Sequence, residues 1–412
     1  IAPKRLGHFF FLFHMFLFAM VAATVANSLG VQWVALEGTT LATTFLIAFF
    51  RRRESLEAGW KYLILCSVGI ALALFGVVLT YYSSVRVLGD ASSALNITAL
   101  IGVANQLDPN VLKLAFIFVL VGYGTKVGLV PMHTWLPDAY SEAPAPIAAM
   151  LAGVLETVAV YTVLRSKALV DQALPPEFTG NLLLTFGLLS FIVASLFILI
   201  QHNYKRLFAY SSIEHMGLAM IGFGVGGMVG TFGGLFHLLN HAVAKALAFF
   251  VAGNIHRRFD TLEIDGVRGV ARAQPITAVA ILVAGCALVG LPPFSPFVSE
   301  LLIVSAVAAQ DFASDTMHVG RFVTMTISDE MRSLGIVALF LLFAVVLFGG
   351  FMFRIGAMVW GTPPAGIAQG ESWTVGHVPL MIMLVALLGL GFMLPEPIQT
   401  LLTRAVNVIV VR

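Results

Sequence analysis

Glu37, Lys126, Glu156, Glu214, His215, His237, His241, Lys245 and Glu300 stand within long apolar runs of the chain. The chemistry open to all of them is the gain and loss of protons. An ionisable group near the middle of a bilayer costs about 2.5–3.5 kcal/mol on insertion scales, so each needs a reason to be there. His237, His241 and Lys245 follow one another in steps of four. Each such step turns a helix by only about 40° and climbs about 6 Å, so the three form one stripe. A ladder of this kind suits stepwise proton transfer. Lys126 precedes an interruption, Lys126-Val-Gly-Leu-Val-Pro131, and would meet the negative end of a half-helix dipole. Glu300 follows another, Leu291-Pro-Pro-Phe-Ser-Pro296. There Ser295 can cap the next half-helix, Pro296 suits its first turn, and Glu300 lies near its positive end. Glu156 has no basic residue nearer in sequence than Arg165, about 13 Å away along a helix. It is expected to face the polar axis as a proton carrier.

Each residue also has a plainer reading. His237 and His241 could be half of a metal site, but no third ligand of the His-Glu-x-x-His kind accompanies them, so no metal is assigned. Glu37 and Lys126 could form a structural salt bridge. Glu214 lies near the end of its run and could be structural too. His8, His14 and His133 are expected at membrane interfaces, and His256, Arg257 and Arg258 in a solvated loop.

The elements that must position these groups follow from composition. Of 412 residues, 59% are hydrophobic and only 11% charged, against about 25% charged in an ordinary globular protein. Such a chain cannot cover a water-facing surface. The expected fold is all-α, a polytopic transmembrane helical bundle. A net charge of +2 gives no footing for nucleic acid. Cys66 and Cys286 are the only cysteines, which excludes a disulfide framework, a Cys-based zinc site and an iron–sulfur cluster. No phosphate-binding loop or cofactor motif occurs. Ile1 opens the chain, and Lys4 and Arg5 lead into an apolar run that could pass for a signal peptide. Similar runs continue to the end, so a piece of a longer protein is the expectation.

Apolar runs of about 20 residues place about eleven spans, near 7–28, 32–50, 62–82, 111–134, 144–165, 182–201, 207–226, 230–253, 275–307, 333–357 and 378–394. Longer connections fall at Ser83–Asn110, Gln310–Ser333 and Gly361–His377, and the tail Glu396–Arg412 reads as an interfacial helix. With Lys4 and Arg5 inside, the inside loops hold most of the basic residues. Arg86, Lys113, Arg165, Lys167, Arg321, Arg332, Arg404 and Arg412 fall outside, which sets the orientation. The residues 1–412 form one membrane domain, with five-span sets over 7–165 and 182–357 and a last span and tail over 378–412. Five is odd, so the second set is inverted relative to the first, and the fourth span of each is broken by proline.

By its motifs the chain resembles the antiporter-like subunits of respiratory complex I and of Mrp-type cation/proton antiporters. Three segments carry the likeness. The first is Lys126-Val-Gly-Leu-Val-Pro-Met-His-Thr-Trp-Leu-Pro-Asp-Ala; the second is Lys205-Arg-Leu-Phe-Ala-Tyr-Ser-Ser-Ile-Glu-His-Met-Gly; the third is Phe236-His-Leu-Leu-Asn-His-Ala-Val-Ala-Lys-Ala. With the Glu37 segment they cover about 7–357 in the family's order. Ser-Ser-Ile-Glu-His-Met-Gly and Leu-Pro-Pro-Phe-Ser-Pro-Phe-Val-Ser-Glu are most similar to the large antiporter-like subunit of formate-hydrogenlyase-type (group 4) membrane hydrogenases. The resemblance implies two inverted five-helix repeats, no redox centre or cofactor in this subunit, and proton-transfer roles for Glu37, Lys126, His237, His241, Lys245 and Glu300. It implies fourteen or more spans, of which about three at the N-terminus are missing here. Where the family usually shows a lysine in span five, this chain has Glu156.

The expected function is therefore proton translocation by a non-redox membrane subunit of an oxidoreductase complex. Its partners would be other membrane subunits, further antiporter-like ones included, with peripheral redox subunits reached indirectly, in a bacterial or archaeal cytoplasmic membrane rather than an organellar one. The competing readings are an Mrp-like sodium/proton antiporter subunit and an inert structural anchor.

Overall fold

A computed structural model describes residues 3–309, 316–319, 323–326 and 329–410. The chain runs through helices α1 (Pro3–Val25), α2 (Leu29–Ile47), α3 (Arg53–Leu88), the short α4 (Ile97–Gly102) and α5 (Pro109–Val127). After a non-helical stretch come α6 (Leu136–Glu142), α7 (Ala145–Met150) and α8 (Glu156–Val170), the last two joined by a π-helical turn, Leu151–Leu155. The next elements are α9 (Pro176–Ile198), α10 (Tyr204–Val225), α11 (Gly227–Phe259), α12 (Val270–Ala273), α13 (Pro275–Leu288) and α14 (Ser295–Ala309). The chain closes with α15 (Asp329–Val359), α16 (His377–Phe392) and α17 (Glu396–Ile409). A short antiparallel ribbon, β1 (Thr316–Val319) on β2 (Val323–Thr326), lies in the connection expected over Gln310–Ser333. α15 takes up the end of that connection from Asp329; its remaining residues, with Arg321, and the terminal Arg412 lie outside the described residues.

Local sequence explains where the helices begin and end. Asp108 caps α5 by accepting from Asn110 N at 2.9 Å, Pro109 occupies its first turn, and Gly128 ends it at φ 83°. Asn203 caps α10 in the same way. Pro176 and Pro275 open α9 and α13, where a missing N–H costs nothing.

Eight described helices are long and apolar enough to cross a membrane, or nine if α16 and α17, bent by 72°, make one span. Of the other expected spans, α10 is lowered in hydropathy by Ser211, Ser212, Glu214 and His215, and is buried along almost its whole length. The span expected over 275–307 is split into the two short apolar helices α13 and α14. The connection expected over Ser83–Asn110 is shorter than read, because α3 continues to Leu88 and α4 follows.

The order of packing recurs along the chain. α1 lies on α2, α2 on α3, α3 on α5 and α5 on α8; then α9 lies on α10, α10 on α11, α11 on α13 and α14, and both of these on α15. Close approach of α3 and α5 needs small residues: a Cβ on Gly122 would collide with the backbone of Ala73 and Gly69. α11 joins the two halves, packing on α7 and the π turn on one side and on α13 and α14 on the other.

Candidate functional site

The first break puts Lys126 in the last turn of α5, fully buried, with residues 128–135 non-helical beyond it. Its ammonium donates to Thr39 Oγ1 at 3.2 Å and to the Tyr62 hydroxyl at 3.0 Å. Tyr62 and Thr43 share a further hydrogen bond of 2.7 Å. The Glu37–Lys126 ion pair considered from the sequence is not formed. Glu37 is half-buried and accepts from Thr40 at 3.1 Å and Ser67 at 3.3 Å. The reason is helical: Thr39 lies two residues on, turned by about 200°, so the face that meets Lys126 is not the face of Glu37.

Trp135, released by the same break, stands between Tyr62 and Tyr140, with ring centroids 4.9 and 6.0 Å away. Its indole N–H donates to Thr125 O at 2.8 Å. Tyr140, from α6, donates its hydroxyl proton to the Glu156 carboxylate. Glu156 is fully buried and its other oxygen lies 3.2 Å from His241 Nε2. The same nitrogen lies 3.2 Å from Ala152 O, which the π turn leaves free to accept. Gly153 lets the α11 backbone come close, since a Cβ there would sit 3.1 Å from Ala242 O. Glu156 is thus turned toward Tyr140 of α6 on one side and His241 of α11 on the other.

Beyond that joint, His241 leads to His215, ring centroids 5.3 Å apart, and His215 Nδ1 lies 3.0 Å from His237 Nε2. His237 Nδ1 meets Ser299 Oγ at 3.0 Å, and Asn240 donates to Ser299 at 3.1 Å. Lys245 completes the buried stripe and donates to Phe208 O at 2.8 Å. Glu300 is half-buried next to the second break, where α13 ends and Gly290 takes φ 62°. A Cβ on Gly290 would overlap the Glu300 carboxylate. Both breaks contain a cis peptide, Val130–Pro131 and Pro292–Pro293.

Some expectations fail in detail. Ser295 begins α14, but its buried hydroxyl has no hydrogen-bond partner and caps nothing. His133 is buried in the first break, its ring 6.4 Å from that of Tyr210. His256, Arg257 and Arg258 form the last turn of α11 rather than a loop. A third metal-ligating group does approach the histidine stripe: His215, His237 and Glu300 offer ligand atoms within 4.8 Å of one another. They stand on three different helices, α10, α11 and α14, so no local motif announces them.

Sequence reasoning missed Tyr62, Tyr140, Thr39, Asn240 and Ser299 as partners in the chain. Asn240 carries a faint signal, one residue before His241 inside the stripe. The hydroxyl residues carry none, because Thr and Tyr are common in apolar helices.

Residues 26–328 match the family described as NADH:quinone oxidoreductase/Mrp antiporter, TM. The hydrogenase-4 component F homolog of Methylacidiphilum infernorum (isolate V4) is 41% identical over 310 residues, which are 75% of this chain and 65% of that one. The chain thus spans just under two thirds of that relative's length. Among solved structures, the membrane-bound sulfane sulfur reductase, an archaeal respiratory membrane complex, superposes with a TM-score of 0.83 at 27% identity, covering 97% of this chain and 75% of that one. Respiratory complex I from Thermus thermophilus gives a TM-score of 0.72 at 26% identity, covering 97% and 80%. The family match takes in every residue of the buried polar chain from Glu37 to Glu300, and this integral membrane protein belongs to the NADH:quinone oxidoreductase/Mrp antiporter family.

Proposed function

We propose that this chain moves protons as an antiporter-like subunit of a membrane oxidoreductase complex of the hydrogenase-4 or complex I type. The observation that carries the reading is the Glu156–His241 contact, 3.2 Å long and fully buried, which joins the Lys126 side of the molecule to the histidine side. In this reading Lys126 is the proton store of the first half, held by two hydroxyls and biased by Glu37 without direct contact. Tyr140 positions Glu156, which receives the proton and passes it to His241. His215 and His237 carry it on toward Glu300, and Lys245 biases the histidines by its charge. Trp135 has no exchangeable group suited to relay, so the step from Lys126 to Glu156 needs either water or a side-chain swing. The recurring order of packing supports two inverted five-helix repeats over 7–165 and 182–357, with 378–412 as an appended span and tail.

Moving one charge against a membrane potential costs about 2.3 kcal/mol per 100 mV. The partner subunits that carry the redox chemistry would supply it, in a bacterial or archaeal cytoplasmic membrane. The test is proton uptake by membrane vesicles holding the whole complex with Lys126→Ala. Uptake should be lost while substrate oxidation by the partner subunits stays measurable, and wild-type uptake should be unchanged in sodium-free medium. Normal uptake by the variant would reduce Lys126 to a structural role. Dependence of wild-type uptake on sodium would favour an Mrp-like exchange instead.

A further inference from the structure

We propose that His215, His237 and Glu300 form a binding site for a divalent transition metal, with Zn2+ the best match. The three come from α10, α11 and α14, and their ligand atoms already lie within 4.8 Å of one another. Zinc takes imidazole nitrogen and carboxylate oxygen at about 2.0–2.2 Å, so tetrahedral neighbours sit about 3.3–3.5 Å apart. The facing nitrogens of His215 and His237, 3.0 Å apart, need to separate only slightly. Glu300 can make up the remaining gap, because it is half-buried and no hydrogen bond among the described residues fixes it. Two imidazoles and one carboxylate, with no thiolate, suit Zn2+, Co2+ or Ni2+ rather than Ca2+ or Mg2+.

The hydrogen-bond network prepares both rings for this role. The single proton of the Ser299 hydroxyl goes to Pro296 O at 2.8 Å. Ser299 Oγ must then accept from His237 Nδ1–H, which leaves the lone pair of His237 on Nε2, facing His215. His215 shows the complementary arrangement. Its Nε2 and Glu214 Oε2 are buried, lie 3.6 Å apart, and neither has a hydrogen-bond partner. A metal on His215 Nδ1 moves the ring proton to Nε2, where the Glu214 carboxylate can accept it. A carboxylate behind a ligating histidine is the usual outer partner of zinc sites. Binding thus gives a partner to two buried atoms that otherwise lack one. Lys245 is the opposing charge nearby, and the carboxyl groups of Glu156 and Glu214 face it.

Metal binding is tested on the purified whole complex, independently of transport. After chelator treatment, Zn2+ is titrated by calorimetry, and Co2+ by its visible absorption. One site per chain is expected, with the intense band of tetrahedral Co2+. Affinity should fall at least about a hundredfold in His237→Gln and in Glu300→Gln, and about tenfold in Glu214→Gln. The control His256→Gln should bind as the wild type does. X-ray absorption at the zinc edge of the wild-type complex needs no variant, and should show two imidazoles and no sulfur around the ion. Unchanged affinity in His237→Gln and Glu300→Gln, absence of stoichiometric binding, or a sulfur-containing shell would overturn the site. Bound Zn2+ also removes the lone pairs through which His215 and His237 would exchange a proton, a consequence that rests on the proposed function. Metal bound at this site with wild-type proton uptake would leave the site standing and discard the histidine route.

Discussion

At the residue scale, the carrier role proposed for Glu156 rests on the partners that bury its carboxylate. Where the resemblance drawn from the sequence implies a lysine, a carboxylate stands fully buried between the Tyr140 hydroxyl and His241. A lysine ammonium could only donate to those partners, whereas the Glu156 carboxylate accepts from Tyr140 and lies within hydrogen-bond reach of His241, to which it can pass a proton. Glu156→Gln keeps the size and one acceptor oxygen but cannot exchange a proton. We expect it to slow proton uptake about a hundredfold, toward the lower end of what a positioned acid–base group contributes. Uptake within twofold of wild type in vesicles would discard the carrier role. Tyr140→Phe should have a smaller effect on uptake, because Glu156 keeps its contact with His241.

At the scale of elements, the two breaks and the π turn free backbone and side chains that a continuous helix would lock. The second break depends on Gly290, at φ 62° and against the Glu300 carboxylate. Left-handed backbone costs a residue with a Cβ about 1–2 kcal/mol, and the overlap with Glu300 adds to it. Gly290→Ala should therefore lower the thermal midpoint of the purified complex and displace Glu300, with loss of proton uptake. Gly335→Ala, in α15 where a Cβ meets nothing within 4 Å, is the matched control and should leave both unchanged. Equal behaviour of the two variants would show that the turn at Gly290 tolerates a side chain.

At the scale of the whole molecule, the connection between α15 and α16 is clamped back onto the bundle through Glu371. Its carboxylate accepts from Thr277 N at 2.9 Å and Thr277 Oγ1 at 2.6 Å, and lies 2.9 Å from His377 Nε2. Burial pushes the Glu371 carboxyl up, but the hydrogen bonds from Thr277 and His377 outweigh it and hold the group below the usual carboxylate range. An unfolded glutamate titrates near about 4.3. The clamp therefore contributes fully above that pH and is lost as pH falls through the lower folded value. Hydrogen exchange over residues 361–376 should quicken below about pH 4 in the wild type. In Glu371→Gln it should be fast already at neutral pH and change little with acid. Exchange in the wild type that does not respond to acid would show that Glu371 does not hold the connection.

Composition and spacing determined much of this by themselves. A chain with 59% hydrophobic and 11% charged residues has to be a helical membrane bundle, because only closed hydrogen bonding satisfies the backbone in lipid. Proline positions located both breaks, and steps of four placed His237, His241 and Lys245 on one buried face, since helical periodicity is a local property. The tertiary structure decided which groups touch. Glu37 misses Lys126 because Thr39 occupies the facing side of α2, and Glu156 meets His241 because a π turn and Gly153 bring α11 close. Likewise His215, His237 and Glu300 converge from three helices whose crossing angles no single segment encodes. Sequence fixes periodicity and charge within a segment, but contact between segments depends on how every helix packs at once.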